Sequence, residues 1–191
     1  MAMAPTRVLF VCLGNICRSP AAEGVFLSQL EQAGLAHAFE VDSAGTGGWH
    51  VGHPADARMR AAAQQRGILL TSRARQLERG DLDRFDHILT MDEDNLAAVL
   101  ALAGEGNHRA TVTPLTTYCR RHSASHVPDP YYGGSQGFEQ VLDLLDDACA
   151  GLLAHLAHLE ASGGEGDSAR EGGTAGGRGP GGGPGNGSGA A

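Results

Sequence analysis

The chain has 191 residues, a formal net charge of −8 and no lysine, so its 14 basic side chains are all arginines. An acidic balance of this size argues against nucleic acid as a partner, and no apolar stretch is long enough to span a membrane. The N-terminus lacks the basic-then-apolar pattern of a leader, and the four cysteines form no framework suited to a secreted domain, so a cytoplasmic location is expected.

In chain order, the first element is the clearest. Residues 8–11 are an unbroken apolar run, the pattern of a strand buried in a parallel sheet. The strand ends at Cys12. Ser19-Pro20 then predicts a helix start, with Ser19 as cap and Pro20 in the first turn, where its missing N–H costs nothing. Ala21, Ala22, Val25, Phe26 and Leu30 continue that helix as an apolar stripe. Residues 39–42 are predicted as the second strand. The stretch 45–52, which holds the only tryptophan, Trp49, is too rich in glycine for a core strand. Helices are predicted near residues 54–66 and 92–101, and strands over 87–91 and 110–115.

Asp81, Asp83 and Asp86 suggest a solvated connection, since a calcium loop would need further ligands. Cys119, His122 and His126 have a zinc-like spacing but no second nearby cysteine, so no metal is expected. Phe138, Val141, Leu142, Leu145, Ala148, Cys149, Leu152, Leu153 and Leu156 follow helical spacing. Beyond position 162 lie fourteen of the 29 glycines and almost no large apolar side chain, which predicts a disordered tail. The expected architecture is therefore α/β: a single doubly wound, mainly four-stranded parallel sheet with helices on both faces over residues 1–160, followed by a Gly-rich tail over 161–191.

The segment from Cys12 to Pro20 carries the chemistry. A cysteine at the carboxyl end of a strand, before a helix N-terminus, lies where open α/β sheets hold ligands. The helix end and Arg18 both favour the thiolate that attack requires. Arg18 offers a planar fork for two phosphate oxygens, a task a lysine would do less well. Gly14 and Asn15 tolerate the left-handed backbone that a loop needs to curl its N–H groups inward. Ser19 is able to donate to the Cys12 sulfur and so help it attack and later leave. Asp129, between Pro128 and Pro130, is the candidate proton donor, and a bound phosphate dianion would favour its protonated form. Trp49, Tyr131, Leu13 and Ile16 are candidate walls for a phenyl ring. Cys17 is close enough in sequence to Cys12 for a reversible disulfide, and equally suited to pointing into the core.

These segments resemble the low-molecular-weight protein tyrosine phosphatases: residues 11–20, then Asp42-Ser43-Ala44-Gly45-Thr46, Ala74-Arg75-Gln76, Met91-Asp92-Glu93-Asp94-Asn95 and Asp129-Pro130-Tyr131-Tyr132, in family order over roughly residues 6 to 160. The resemblance implies that Cys12 is the nucleophile, Arg18 the phosphate clamp, Asp129 the general acid and Ser19 the helper of Cys12. It implies further that hydrogen bonds to Ser19 and Ser43 fix Asn15, and that Leu13, Gly14, Asn15, Ile16, Cys17, Trp49, Tyr131 and Tyr132 contact substrate. One departure stands out. Many relatives carry histidine where this chain has Ser72, whose shorter hydroxyl would brace the loop more loosely or through water.

The implied reaction is hydrolysis of phosphotyrosine monoesters through a phosphocysteine, in signalling, by a monomer that uses no cofactor. Its expected partners are phosphotyrosyl proteins, with inorganic phosphate or vanadate as ligands. Arsenate reductases share the fold and nucleophile but relay a disulfide through further cysteines, and residues 82–95 contain none. A non-catalytic phosphotyrosine-binding module would not need both Cys12 and Asp129. A cysteine phosphocarrier would not need Arg18.

Overall fold

The computed structural model of the chain describes residues 4–163. Four strands, β1 (Thr6–Cys12), β2 (Phe39–Gly45), β3 (His87–Thr90) and β4 (Thr111–Pro114), alternate with five helices, α1 (Arg18–Gln32), α2 (Ala57–Gln65), α3 (Asp81–Arg84), α4 (Glu93–Ala103) and α5 (Ser135–Gly163). All strand pairs are parallel, in the order β2-β1-β3-β4. The chain therefore leaves β1 towards one sheet edge and later returns to its other side. That reversal places a switch point at the carboxyl end of β1, where Cys12 stands.

The alternation of side chains along β1 feeds two cores. Val8, Phe10 and Cys12 face α1, α2 and α5, together with Phe26, Met59, Phe138 and Leu145. Leu9 and Val11 face the opposite layer, with Leu82, Phe85, Ile88 and Val99. Burial on both faces explains why the first strand is apolar without interruption. No helix among the described residues is long and apolar enough to cross a membrane.

Several boundaries differ from the sequence reading. Strand β2 continues three residues past Asp42, to Gly45. Glycine is needed there because a Cβ would lie 2.8 Å from the Leu13 carbonyl oxygen and 3.1 Å from Asn15 N. Helix α1 begins at Arg18 with Cys17 in the cap position and no side-chain cap, so Ser19 is not the cap. The sequence reading has no counterpart to the short helix α3, and of Asp81, Asp83 and Asp86 in the acidic stretch it opens only Asp83 is exposed to solvent. Asp81 is buried and accepts from Arg75 Nη1 at 3.0 Å and from Glu78 N at 2.9 Å. Asp86 accepts from Arg7 N at 2.8 Å. Helix α5 runs three residues beyond the expected domain limit, and the rest of the expected tail, 164–191, lies outside the described residues.

Helix α5 also fixes the segment that leads to Asp129. At Gly151 a Cβ would fall 1.8 Å from the Tyr118 carbonyl oxygen, so helix and chain touch backbone to backbone. One turn earlier the buried Asp147 accepts the N–H groups of Arg120, Arg121 and His122, the last two at 2.9 and 2.8 Å, and the His122 ring Nδ1–H at 3.0 Å. Burial opposes its ionisation, but the His122 ring and the three amides outweigh that and hold the carboxyl well below the usual carboxylate range. His122 is thus committed to Asp147, and His126 Nδ1 lies 3.1 Å from Ser125 Oγ.

Gly151→Ala should lower the unfolding free energy by about 1–3 kcal/mol with an unchanged denaturant slope, measured by urea titration. Asp147→Asn should cost about 1–3 kcal/mol at neutral pH. Because the folded-state value is depressed, the contribution of Asp147 is complete above the unfolded carboxylate range and is lost as pH falls towards the folded value. The stability gap between wild type and variant should therefore shrink steadily below about pH 4.

Candidate active site

The loop between β1 and α1 is built with its two kinds of backbone group on opposite sides. Its carbonyls turn outward: Cys12 O accepts from Thr46 N at 2.9 Å, Leu13 O from Gly47 N at 2.9 Å and Ile16 O from Asp56 N at 2.8 Å. The N–H groups of Leu13, Gly14, Asn15, Ile16 and Cys17 meet no protein acceptor among the described residues. Five adjacent donors at the head of a helix form a cradle for an oxyanion. Asn15 makes the curl possible with φ of 54°, the only non-glycine residue in the left-handed region among those described.

Side chains brace Asn15 from behind. Its Oδ1 accepts from Arg75 N at 2.9 Å, while its Nδ2 donates to Ser19 Oγ at 2.8 Å and Ser43 Oγ at 3.0 Å. Ser19 Oγ lies 3.0 Å from Cys12 Sγ. The serine that is not a cap thus stands against the sulfur. Ser43 donates onward to Glu23 Oε2 at 2.5 Å, and Ser72 reaches the same carboxyl group. Ser72 therefore meets the bracing network through Glu23, not at Asn15 itself.

Arg18 is 3% exposed, and three acceptors fix its guanidinium. Nη1 donates to Asp92 Oδ2 at 2.5 Å and to the Val127 carbonyl at 3.1 Å, and Nη2 donates to Asp129 Oδ2 at 3.2 Å. The Nε–H and one Nη2–H have no protein acceptor among the described residues, leaving two donors for two oxygens. Asp92 also caps α4, its Oδ1 accepting from Asn95 N at 2.8 Å. Asp129 is held by its other oxygen, where Tyr131 N donates to Oδ1 at 3.1 Å.

A cleft of about 320 Å³ joins these groups. Cys12, Leu13, Gly14, Ile16, Cys17 and Arg18 line its base, and Asp129, Trp49, Tyr131 and Tyr132 line its sides. Of the sequence-expected residues, Asn15, Ser19, Ser43 and Ser72 stand behind the loop. Trp49 does two things: it is 71% exposed at the mouth, and its ring lies over Gly47, where a Cβ would meet it at 1.8 Å. Tyr131 is held between the Arg58 guanidinium, 5.5 Å from its ring centre, and the Tyr132 ring at 4.9 Å. Burial and the charge of Asp56 push the Cys17 thiol up to about 12, so it stays neutral beside Cys12. Both cysteines are free.

Three residues escaped the sequence reading. Asp92 orients Arg18; the segment Met91-Asp92-Glu93-Asp94-Asn95 carried part of the family resemblance, but no role was read for this aspartate. His50 lines the cleft with its ring against Gly14, where a Cβ would lie 3.0 Å away. Glu23 carried no signal beyond its place one turn after Ser19.

A family model for low molecular weight phosphotyrosine protein phosphatases matches residues 7–162. A low molecular weight protein-tyrosine-phosphatase of Streptomyces coelicolor is 46% identical over 150 residues, 78% of this chain and 92% of that one. The crystal structure of a protein tyrosine phosphatase from Entamoeba histolytica superposes with a TM-score of 0.78 at 40% identity, covering 81% of this chain and 99% of the other. A Drosophila arginine phosphatase superposes with a TM-score of 0.74 at 31% identity, covering 78% and 96%. With a family match over nearly all the described residues and relatives of 40% identity or more over most of both chains, the chain belongs to the low molecular weight phosphotyrosine protein phosphatases.

Proposed function

We propose a division of labour for phosphotyrosine hydrolysis in this cleft, supported above all by Cys12, Arg18 and Asp129 lining one cavity beside five unpaired amides. The Cys12 thiolate attacks phosphorus in line, and the bond to the phenolic oxygen breaks. Asp129 gives that oxygen its proton, leaving a phosphocysteine. Water then attacks phosphorus, its proton passes to Asp129, and the phosphorus–sulfur bond breaks to release inorganic phosphate. The loop amides and the two free donors of Arg18 hold the charge that spreads over the equatorial oxygens.

The ion pair between Arg18 and Asp129 gives the acid its timing. A phosphate dianion takes up the arginine donors and repels the carboxylate, and Oδ2 becomes the oxygen that carries the proton, since Oδ1 stays bound to Tyr131 N. Trp49, Tyr131 and Leu13 give the cavity an aromatic and apolar mouth suited to an aryl ester. The natural substrates in this reading are phosphotyrosyl proteins, with phosphate and vanadate as competing ligands. A thiolate nucleophile and four free cysteines suit the reducing cytoplasm.

Steady-state hydrolysis of phosphotyrosine, phosphoserine, phosphoarginine and arsenate turnover, run side by side, tests the assignment; phosphotyrosine should give the highest kcat/KM. Cys12→Ser should abolish turnover of an aryl phosphate without unfolding the protein, and a wild-type rate in that variant would remove Cys12 from the chemistry. Asp129→Ala should slow aryl phosphate hydrolysis by ~10²–10⁴-fold. Trp49→Ala should raise KM for a phosphotyrosyl peptide more than for a small alkyl phosphate; equal effects would leave Trp49 as an anchor of its own loop.

A further inference from the structure

We propose that Glu23 is a positioning residue for the nucleophile, acting on Cys12 through Ser43, Asn15 and Ser19; this rests on the roles given above to Cys12 and Ser19. A backbone N–H only donates, so Arg75 N fixes which end of the Asn15 amide is oxygen. Both hydrogens of Nδ2 then go to hydroxyl oxygens, one to Ser19 and one to Ser43. Each hydroxyl, having accepted, must send its own proton elsewhere. For Ser43 that acceptor is Glu23 Oε2 at 2.5 Å. For Ser19 it is the Cys12 sulfur at 3.0 Å, nearer than the alternative Ala44 carbonyl at 3.4 Å.

Glu23 is the ionisable end of this relay. It stands on α1 four residues after Ser19, on the same helix face. Its surroundings supply hydroxyls in place of a contacting cation. Burial raises its carboxyl above the ordinary glutamate value; the Ser43 and Ser72 hydroxyls work against that rise, the Asp42 charge adds to it, and the Arg75 charge opposes it. Arg75 itself is bound to Asp42 at 2.9 Å and Asp81 at 3.0 Å. Ser43 Oγ lies 2.5 Å from the Glu23 carboxylate, and its proton, sent to Oε2, fixes the sense of the relay at this end.

The consequence is specific to one chemical step. A hydrogen bond from Ser19 stabilises the sulfur anion, which makes it a better leaving group and a milder nucleophile. When water attacks the phosphocysteine, the phosphorus–sulfur bond breaks and its electron pair returns to Cys12 Sγ, where the Ser19 proton meets it. Without the Glu23 acceptor, Ser43 no longer has a fixed orientation, Asn15 loses a firm partner, and Ser19 is no longer held against the sulfur. Breakdown of the intermediate should suffer while its formation is spared.

Rapid-quench measurement of phosphocysteine and of the p-nitrophenol burst, with p-nitrophenyl phosphate as substrate, separates the two steps. Glu23→Leu should slow breakdown about tenfold and leave the burst rate within about twofold, so phosphocysteine accumulates. Glu23→Gln keeps an amide oxygen for Ser43 and should stay within about threefold of wild type. Ser43→Ala should copy Glu23→Leu, and the double variant should be no slower than either alone. Equal loss in both steps, unchanged breakdown, additive effects, or a Gln variant as slow as the Leu variant would each overturn the relay. A wild-type enzyme that forms no phosphocysteine would instead overturn the role of Cys12, so the two failures are distinguishable.

Discussion

Asn15 occupies a left-handed conformation, φ 54°, that costs a residue with a side chain roughly 1–2 kcal/mol, and three hydrogen bonds keep it there. Each bond comes from a different part of the fold: Ser19 from α1, Ser43 from β2, and Arg75 from the segment after α2. The turn at Asn15 separates outward carbonyls from unpaired amides, and it sets Ser19 against Cys12. Sheet, helix and loop are thus tied at one amide side chain. The glycine at position 45 belongs to the same constraint, since any larger residue there would push the loop away from β2.

The protein carries a net charge of −8 and yet is built to receive a dianion. Long-range attraction cannot help, so the site depends on short-range donors: loop amides and one buried guanidinium. A buried charge needs partners. Asp92 and Asp129 supply them to Arg18, but in different senses. Asp92 is anchored at the head of α4 and holds the guanidinium permanently. Asp129 sits on an exposed loop and, in the proposed reaction, competes with phosphate for the same cation. On that proposal, substrate binding and preparation of the acid are one electrostatic exchange.

Much of this was legible from residues alone, for physical reasons that differ by element. The apolar run of β1, buried on both faces, followed by Cys-x5-Arg and Ser-Pro, left little room for another fold. The spacing of α5 was equally plain because one face of it is entirely core. The role of Ser19 was partly misread: Ser before Pro signals a cap, and only three-dimensional closure of the loop shows the hydroxyl turned back to the sulfur. Strand β2 was ended at Asp42, ahead of the glycine-rich stretch, whereas it runs on through Ser43 and Ala44 to Gly45, which lets Leu13 O approach. Helix α3 and Glu23 had no pattern to find, and the segment that holds Asp92 did not show what its carboxylate binds. Their partners, Arg75, Ser43 and Arg18, lie 6, 20 and 74 residues away.

Trp49 leans on Gly47 at the edge of the cleft, and the chain contains no other indole. Ultraviolet emission excited at the red edge, where tyrosine does not absorb, therefore originates at a single place, on the lining of the cleft that holds the sulfur. An arriving aryl group alters the polarity around that fluorophore and shields it from a dissolved quencher. The enzyme has, without labelling, an optical gauge of how full its own cleft is.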